Sequence, residues 1–219
     1  MKSLRPSSCK DGWNPKTLNS KLSTLNSKLS TVPPMVLPIY TLGQPVLRKV
    51  AEDIDPQDPE LPQFVQDMYD TLERSSGIGL AAPQVGRSVR VVVIDLNPIK
   101  DDYPEYDGFR HVFYNPYIEE YDKSSQESMD EGCLSLPGMS ETVKRPTRVR
   151  VSYLDENFQE HDEWVDGYLA RVMQHEFDHL DGKVYTDHIV GLRKQMIKGK
   201  LNDIMKGRFS CDYKVKVKR

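Results

Sequence analysis

Cysteine is scarce in this 219-residue sequence, long apolar runs are missing, and histidine occurs only five times. Each shortage excludes something. Three cysteines, Cys9, Cys133 and Cys211, are too few and too scattered for a disulfide framework, so a reducing, cytoplasmic setting is expected and each thiol is to be judged structural or reactive. No apolar stretch approaches the roughly 20 residues that cross a bilayer, so no helical membrane span is expected. Nor does an apolar segment follow Lys2 and Arg5, as it would in a secretory signal. The length suits one domain with tails.

The formal charge of −3 hides an asymmetry. Residues 1–34 carry six basic side chains against Asp11 alone, a net +5, and residues 189–219 carry ten against two, a net +8. The body between is therefore acidic, and from Met35 onward the chain holds 24 basic and 32 acidic residues, a net −8. The N-terminal segment contains the heptad Leu-Asn-Ser-Lys-Leu-Ser-Thr twice in tandem, at 18–24 and 25–31. Leu18, Leu22, Leu25, Leu29 and Val32 follow coiled-coil spacing, but two heptads are short of what a coiled coil needs, and Ser, Thr and Asn are poor in helix interiors. Residues 1–34 read as a disordered, dispensable or misannotated extension upstream of Met35, with a targeting segment or an interaction arm as rivals. The folded unit is expected over 35–219.

Helical spacing of Leu61, Phe64, Val65, Met68, Tyr69 and Leu72 predicts an amphipathic helix over 56–75. The Gly- and Ala-rich stretch 75–85 reads as a loop or irregular strand, 89–96 as a buried strand, and 112–121 as another. An acidic, turn-rich connection occupies 97–111. Alternation at Val149, Val151 and Tyr153 predicts a half-exposed strand that pairs with 158–165 as a hairpin. Gly167 opens a helix with Leu169, Val172, Met173, Phe177 and Leu180 as its apolar stripe and Gly182 as its stop. A last helix over 191–206 sets Leu192, Met196, Ile197, Leu201, Ile204 and Met205 on one side and Lys194, Lys198, Lys200 and Lys206 on the other. Short strands followed by helices make the fold class α+β.

His175-Glu176-Phe177-Asp178-His179 is an H-E-x-x-H motif inside the predicted helix. Four residues turn about 400° around the axis, so both imidazoles emerge on one face and can share a metal, with Glu176 close enough to reach a metal-bound water without ligating the ion. Two surface histidines with a chance Glu between them are the plain alternative. A catalytic metal usually takes three protein ligands. Cys133, in Glu131-Gly132-Cys133-Leu134-Ser135, is the best third ligand, Gly132 lending freedom beside the thiol. A lone Cys among leucines is more often a small buried hydrophobe, and a downstream Glu or His is the conventional third ligand. In 77–84, Gly77-Ile78-Gly79-Leu80-Ala81-Ala82-Pro83-Gln84, small residues permit close approach of a peptide backbone and Gln84 offers an amide N–H to an oxyanion. A packing loop or a phosphate loop would read similarly, but the Lys and Ser/Thr of a P-loop are missing.

Taken together and in this order, Gly77 to Gln84, Glu131 to Ser135 and Gln174 to Gly182 resemble the three signatures of peptide deformylases, G-x-G-x-A-A-x-Q, E-G-C-x-S and Q-H-E-x-D-H-L-x-G, without a mismatch. The resemblance covers about residues 35–205 and is to the bacterial group with a helical C-terminus. It implies mixed or antiparallel sheets packed around a central metal-binding helix, with a C-terminal helix. It also implies removal of the N-formyl group from the formyl-methionine of nascent chains, with release of formate, by Glu-assisted attack of a metal-bound water. Cys133, His175 and His179 would hold one divalent ion, Fe²⁺ in cells, with Zn²⁺, Ni²⁺ or Co²⁺ able to replace it. Glu176 would be the base and then the acid, and Gln84 and the Leu134 N–H the oxyanion hole. Ile78, Gly79 and Gly132 would line the peptide groove, and Val172 the methionine pocket. Asp178 is a candidate to orient a histidine or another group that supports the metal site, with Arg145 as its partner; a surface ion pair is the plain alternative.

A monomeric enzyme is expected, with a basic C-terminal helix and tail over 191–219, the helix docking near the ribosomal exit or simply facing solvent. Two other functions compete. One is a metalloprotease with the same water activation, against which Cys133 argues. The other is a ribosome or RNA binder with a structural metal, which would need a fourth protein ligand that the sequence does not offer.

Overall fold

A computed structural model describes residues 35–218. The tandem heptads and the expectations placed on them lie outside the described residues. No described helix is long and apolar enough to cross a membrane.

The strand β3 (Val91–Asp95) divides the core. Val91 and Val93 pack into one apolar cluster, Val92 and Ile94 into the other, and all four are fully buried. A strand covered on both faces gives a continuous apolar run, as 89–96 does. β3 sits inside an antiparallel five-stranded sheet with β2 (Gly79–Ala81), β4 (Arg110–Tyr121), β7 (Arg148–Leu154) and β8 (Glu160–Asp166), in the order β2-β3-β4-β7-β8.

Helix α1 (Leu61–Arg74) covers one face, its Leu61, Phe64, Val65, Met68 and Leu72 joining Val91, Val93, Val112 and Tyr114. Fourteen residues make a marginal helix in isolation, so this stripe holds it, each buried side chain contributing about 1.5–3 kcal/mol. The helix starts five residues later than expected, with Pro62 in its first turn, because 56–60 forms turns in which Asp58 Oδ1 accepts the Glu60 N–H at 2.9 Å.

Helix α2 (Gly167–Leu180) covers the other face, packing Leu169, Val172, Met173 and Phe177 against Val92, Ile94, Phe113, Val149 and Val151. Its N-terminus is tied to the acidic connection: Tyr106 and Phe109 are buried there, and the Tyr106 hydroxyl accepts the Leu169 N–H at 3.1 Å. Its C-terminus closes as expected at Gly182, whose φ is +71° and whose N–H reaches His179 O at 3.3 Å. A Cβ at Gly182 would come within 2.9 Å of the Arg48 backbone, so glycine is required there twice over.

Two features were not anticipated. β5 (Gln126–Gly132) and β6 (Ser140–Pro146) form a separate hairpin, in register from Gln126↔Pro146 to Gly132↔Ser140. The inward residues of β6 are Glu141, Val143 and Arg145, two of them charged, which hides the strand period from a hydropathy reading. And β1 (Ile39–Tyr40) pairs in parallel with β9 (Val215–Lys216), so the basic tail returns to the body.

Helix α3 (Gly191–Met205) corrects another expectation. Its apolar residues do not share a buried face: Ile197 and Ile204 are buried and Leu201 is half-buried on a cluster with Leu136, Met139 and Tyr185, whereas Leu192 and Met196 are 71% and 64% exposed. Contact runs along a single seam at 197, 201 and 204, narrower than the stripe drawn from the sequence.

Candidate active site

Along α2, His175 and His179 point one above the other, as their spacing requires, toward the turn that follows β5. Cys133 opens that turn, and its carbonyl accepts the Leu136 N–H at 2.9 Å. Cys133 Sγ lies 3.2 Å from His179 Nε2, and the candidate ligand atoms of Cys133, His175 and His179 are all within 4.8 Å of one another. Burial alone would push the Cys133 thiol up, but the two histidines beside it bring it down to about 5. One soft thiolate and two imidazoles form a donor set for a divalent transition metal. No fourth His, Cys, Asp or Glu joins the group among the described residues, which matches the three-ligand pattern of catalytic sites rather than the closed four-ligand pattern of structural ones.

Beneath the ligands lies a buried ion network. The His175 Nδ1–H donates to Glu131 Oε2 at 2.8 Å, which fixes the tautomer and leaves Nε2 for the Cys133 side. Arg145 forks onto Glu131 at 2.6 and 3.0 Å, and Arg171 reaches Glu131 Oε1 at 2.9 Å and the Val143 and Glu127 carbonyls at 3.0 and 2.6 Å. Burial raises the Glu131 carboxyl, but its bonds to His175 and Arg145 outweigh that and hold it well below the usual range. Arg145 also donates to Asp178 at 2.8 Å, and Asp178 binds His188 at 2.6 Å. Arg145 and Asp178 do pair, then, but inside the protein rather than on its surface, and the histidine that Asp178 orients is His188, not a metal-site residue. The sequence reading gave Glu131 no role. The signal was its place two residues before Cys133, at the end of a strand that carries it under His175.

Glu176 lies on the flank of α2 that presses on β2. Its Oε2 is buried without a hydrogen-bond partner among the described residues, and burial pushes the carboxyl up to about 7. A Cβ on Gly79 would overlap Glu176 Oε1, so Gly79 makes room for this carboxylate as well as lining the cleft. Gln84 has its Oε1 occupied by the Ala81 N–H at 2.8 Å, which turns Nε2 toward Cys133 Sγ and Ser135 Oγ, each at 3.4 Å. The Leu134 N–H makes no hydrogen bond among the described residues. It shares a peptide plane with the Cys133 carbonyl, which Leu136 engages, and so points the opposite way.

These groups line a cleft of about 500 Å³, with Ile78, Gly79 and Gly132 in its walls alongside Met139 and Tyr213. Val172 is not among them: one turn before Glu176 on the flank facing the sheet, it is buried in the core with Val92 and Val149. Gly132 also departs from expectation, since its φ is not positive and a Cβ there would meet nothing closer than 3.8 Å. Its openness to the cleft, not backbone freedom, is what the structure shows.

An α+β fold with an H-E-x-x-H helix facing a cysteine that could share a metal with it defines a class, that of metallohydrolases. Comparison with known proteins gives the family. A family model described as Polypeptide deformylase matches residues 36–195. Peptide deformylases of Christiangramia forsetii and Cytophaga hutchinsonii are 43% and 41% identical over 190 and 182 residues, each alignment covering 83% of this chain and 96% and 97% of the relative. Among solved structures, peptide deformylase from Plasmodium falciparum superposes with a TM-score of 0.69 at 35% identity, covering 77% of this chain and 95% of that one. The enzyme from Ehrlichia chaffeensis in complex with actinonin does so at 0.69 and 32%, covering 80% and 99%. The chain belongs to the polypeptide deformylase family, and α3 agrees with the helical C-terminus expected of it.

Proposed function

We propose that the protein is a metal-dependent hydrolase that removes the formyl group from the N-terminal formyl-methionine of nascent chains and releases formate, working as a monomer. One observation carries the mechanism: a buried carboxylate oxygen without a partner among the described residues belongs to Glu176, which lines the same cleft as Cys133, His175, Gln84 and Leu134. Cys133, His175 and His179 would hold one divalent ion, Fe²⁺ in the cell with Zn²⁺, Ni²⁺ or Co²⁺ able to replace it, and that ion supplies the Lewis acidity that makes a water nucleophilic at neutral pH.

Glu176 takes the proton of the attacking water, which its position near neutrality suits, and later delivers it to the leaving amine. Gln84 Nε2 and the Leu134 N–H receive the developing oxyanion. One such donor is typically worth about 3–4 kcal/mol. Ile78, Gly79 and Gly132 give the substrate backbone a low wall to lie along. The catalytic domain is 35–219, in keeping with a family match that starts at residue 36. The exposed Lys194 and Lys198, one turn apart on α3, and Lys200 on another side of the helix supply positive charge for docking near the ribosomal exit. Salt-sensitive co-sedimentation with ribosomes that survives reversal of these three charges would sink that part of the reading.

The central test is formate release from a formyl-Met peptide by protein loaded anaerobically with Fe²⁺ or Ni²⁺. Release by the wild type and loss in Glu176→Ala with metal retained is the expected result. No formate from the wild type, or undiminished release by the variant, overturns it.

A further inference from the structure

After α3, Gly207 in a left-handed conformation (φ +71°) reverses the chain, and the Arg208 N–H closes the turn on Asp203 O at 2.8 Å. The segment that follows alternates, with Tyr213, Val215 and Val217 half-buried and Asp212, Lys214, Lys216 and Lys218 exposed. This is strand periodicity, and β9 is docked accordingly: the Ile39 N–H donates to Lys214 O at 2.8 Å, and Gln44 Nε2 and the Thr41 N–H both reach Lys216 O at 3.2 Å. Docking places Tyr213 on the apolar cluster that α1 and β3 share and in the wall of the catalytic cleft. Its hydroxyl donates to the Leu134 carbonyl at 2.8 Å. The next carbonyl, Ser135 O, accepts the Leu42 N–H at 2.9 Å from the continuation of β1. The loop that carries both a metal-site cysteine and an oxyanion donor is thus held from outside by the β1–β9 pair.

We propose that the C-terminal tail is part of the active site: Tyr213 is a positioning residue that pins Leu134, and its ring is a wall of the cleft along which the peptide beyond the formyl-methionine lies. The matched family span ends at residue 195, so this wall comes from outside it. The inference rests on the deformylation proposed above for the same cleft. Two roles require two signatures. Loss of the hydroxyl frees the Leu134 carbonyl and slackens the loop, which lowers kcat for every formyl substrate. Loss of the ring removes contact with the substrate's later residues, which raises KM for longer peptides only.

The test compares wild type, Tyr213→Phe and Tyr213→Ala on formyl-Met amide and on a formyl-Met tripeptide, with metal content measured throughout. Tyr213→Phe is expected to lose about 2- to 10-fold in kcat on both substrates with KM unchanged, the effect of one net hydrogen bond. Tyr213→Ala is expected to show the same loss together with a KM increase on the tripeptide that Phe does not show. As a readout apart from activity, amide hydrogen exchange at residues 134–136 rises in Tyr213→Phe while the exchange of α1 is unchanged. If the wild type releases formate but Tyr213→Phe keeps full kcat and native exchange at 134–136, the positioning role is wrong. An equal KM change on both substrates, or none, for Tyr213→Ala refutes the wall. Where Tyr213→Ala fails to fold, Tyr213→Trp replaces it, and a KM that stays at the wild-type value on the tripeptide as well as on the amide refutes the wall. A wild type that releases no formate overturns the deformylase reading itself, a separate failure.

Discussion

Helices α2 and α3 are nearly equal in length and alike in how they begin, each behind a glycine in the left-handed region, Gly167 and Gly191. Their fates are opposite. Twelve of the fourteen residues of α2 are buried, among them Arg171, Gln174, His175, Glu176, Asp178 and His179, whereas α3 buries only Ile197 and Ile204 of fifteen and leaves Leu192 and Met196 in water. Hydropathy alone would invite the reverse assignment for several of these positions. Charge inside α2 persists because other elements bring it partners: Glu131 and Arg145 from the β5–β6 hairpin serve His175, Asp178 and, through Glu131, Arg171. A buried charge without a partner costs far more than an exposed leucine, so partner supply decides which helix lies inside.

The contrast breaks most visibly at Glu176, the buried acid on α2 with an unpartnered oxygen. Glu176→Ala with metal retained is expected to lose about 10²- to 10⁴-fold in kcat, the usual contribution of a general acid–base group, and its thermal stability should not fall. Gln84→Leu comes next, with a loss of about 10²- to 10³-fold in kcat, since its Nε2 is held toward the site by the Ala81 N–H on its oxygen. Retention of wild-type kcat in either variant would mean that the group merely fills space.

Glu131→Gln tests the partner-supply argument directly. It keeps size and one acceptor for His175 but leaves Arg145 and Arg171 facing a neutral group. Removing one member of a buried ion cluster costs about 3–5 kcal/mol, to be read by denaturant unfolding of the metal-free protein, and loss of a ligand-orienting contact weakens metal binding about 10- to 100-fold. A change in stability below about 1 kcal/mol would show that the network contributes little and that α2 is buried for its apolar stripe alone.

How far the sequence discloses all this follows the same division. β3, the apolar faces of α1 and α2, and the pairing of the two H-E-x-x-H histidines on one side of α2 were legible because each rests on a local period: a continuous apolar run, helical spacing, and a four-residue separation. The β5–β6 hairpin was not, because Glu141 and Arg145 stand at positions where a hydropathy reading looks for leucines. Glu131 shows no role within its own motif, since what it does depends on a histidine 44 residues later. β9 was hidden by its lysines, which are the exposed half of an alternation whose other half, Tyr213, Val215 and Val217, is half-buried. Val172 invites a place on the pocket because it precedes His175 by one turn, yet its flank of the helix faces the sheet. Local period finds elements and ligands; what faces them is set by contacts distant in sequence.

The smallest effect sharpens the comparison from the α3 side. Ile197 and Met196 are sequence neighbours of similar size on the same helix, 5% and 64% exposed. Ile197→Ala should destabilise the protein by about 2–5 kcal/mol, because it opens a cavity against Leu136, Met139 and Tyr185, the layer that supports the turn bearing Cys133. Met196→Gln should stay within about 0.5 kcal/mol of wild type, since its side chain already meets water. Paired unfolding curves decide the matter, and a large loss from Met196→Gln would mean that the outer face of α3 is covered in solution. In that event Leu192 and Met196 would be contact residues, and the lysines between and beside them would carry a desolvation cost that a solvated helix does not impose.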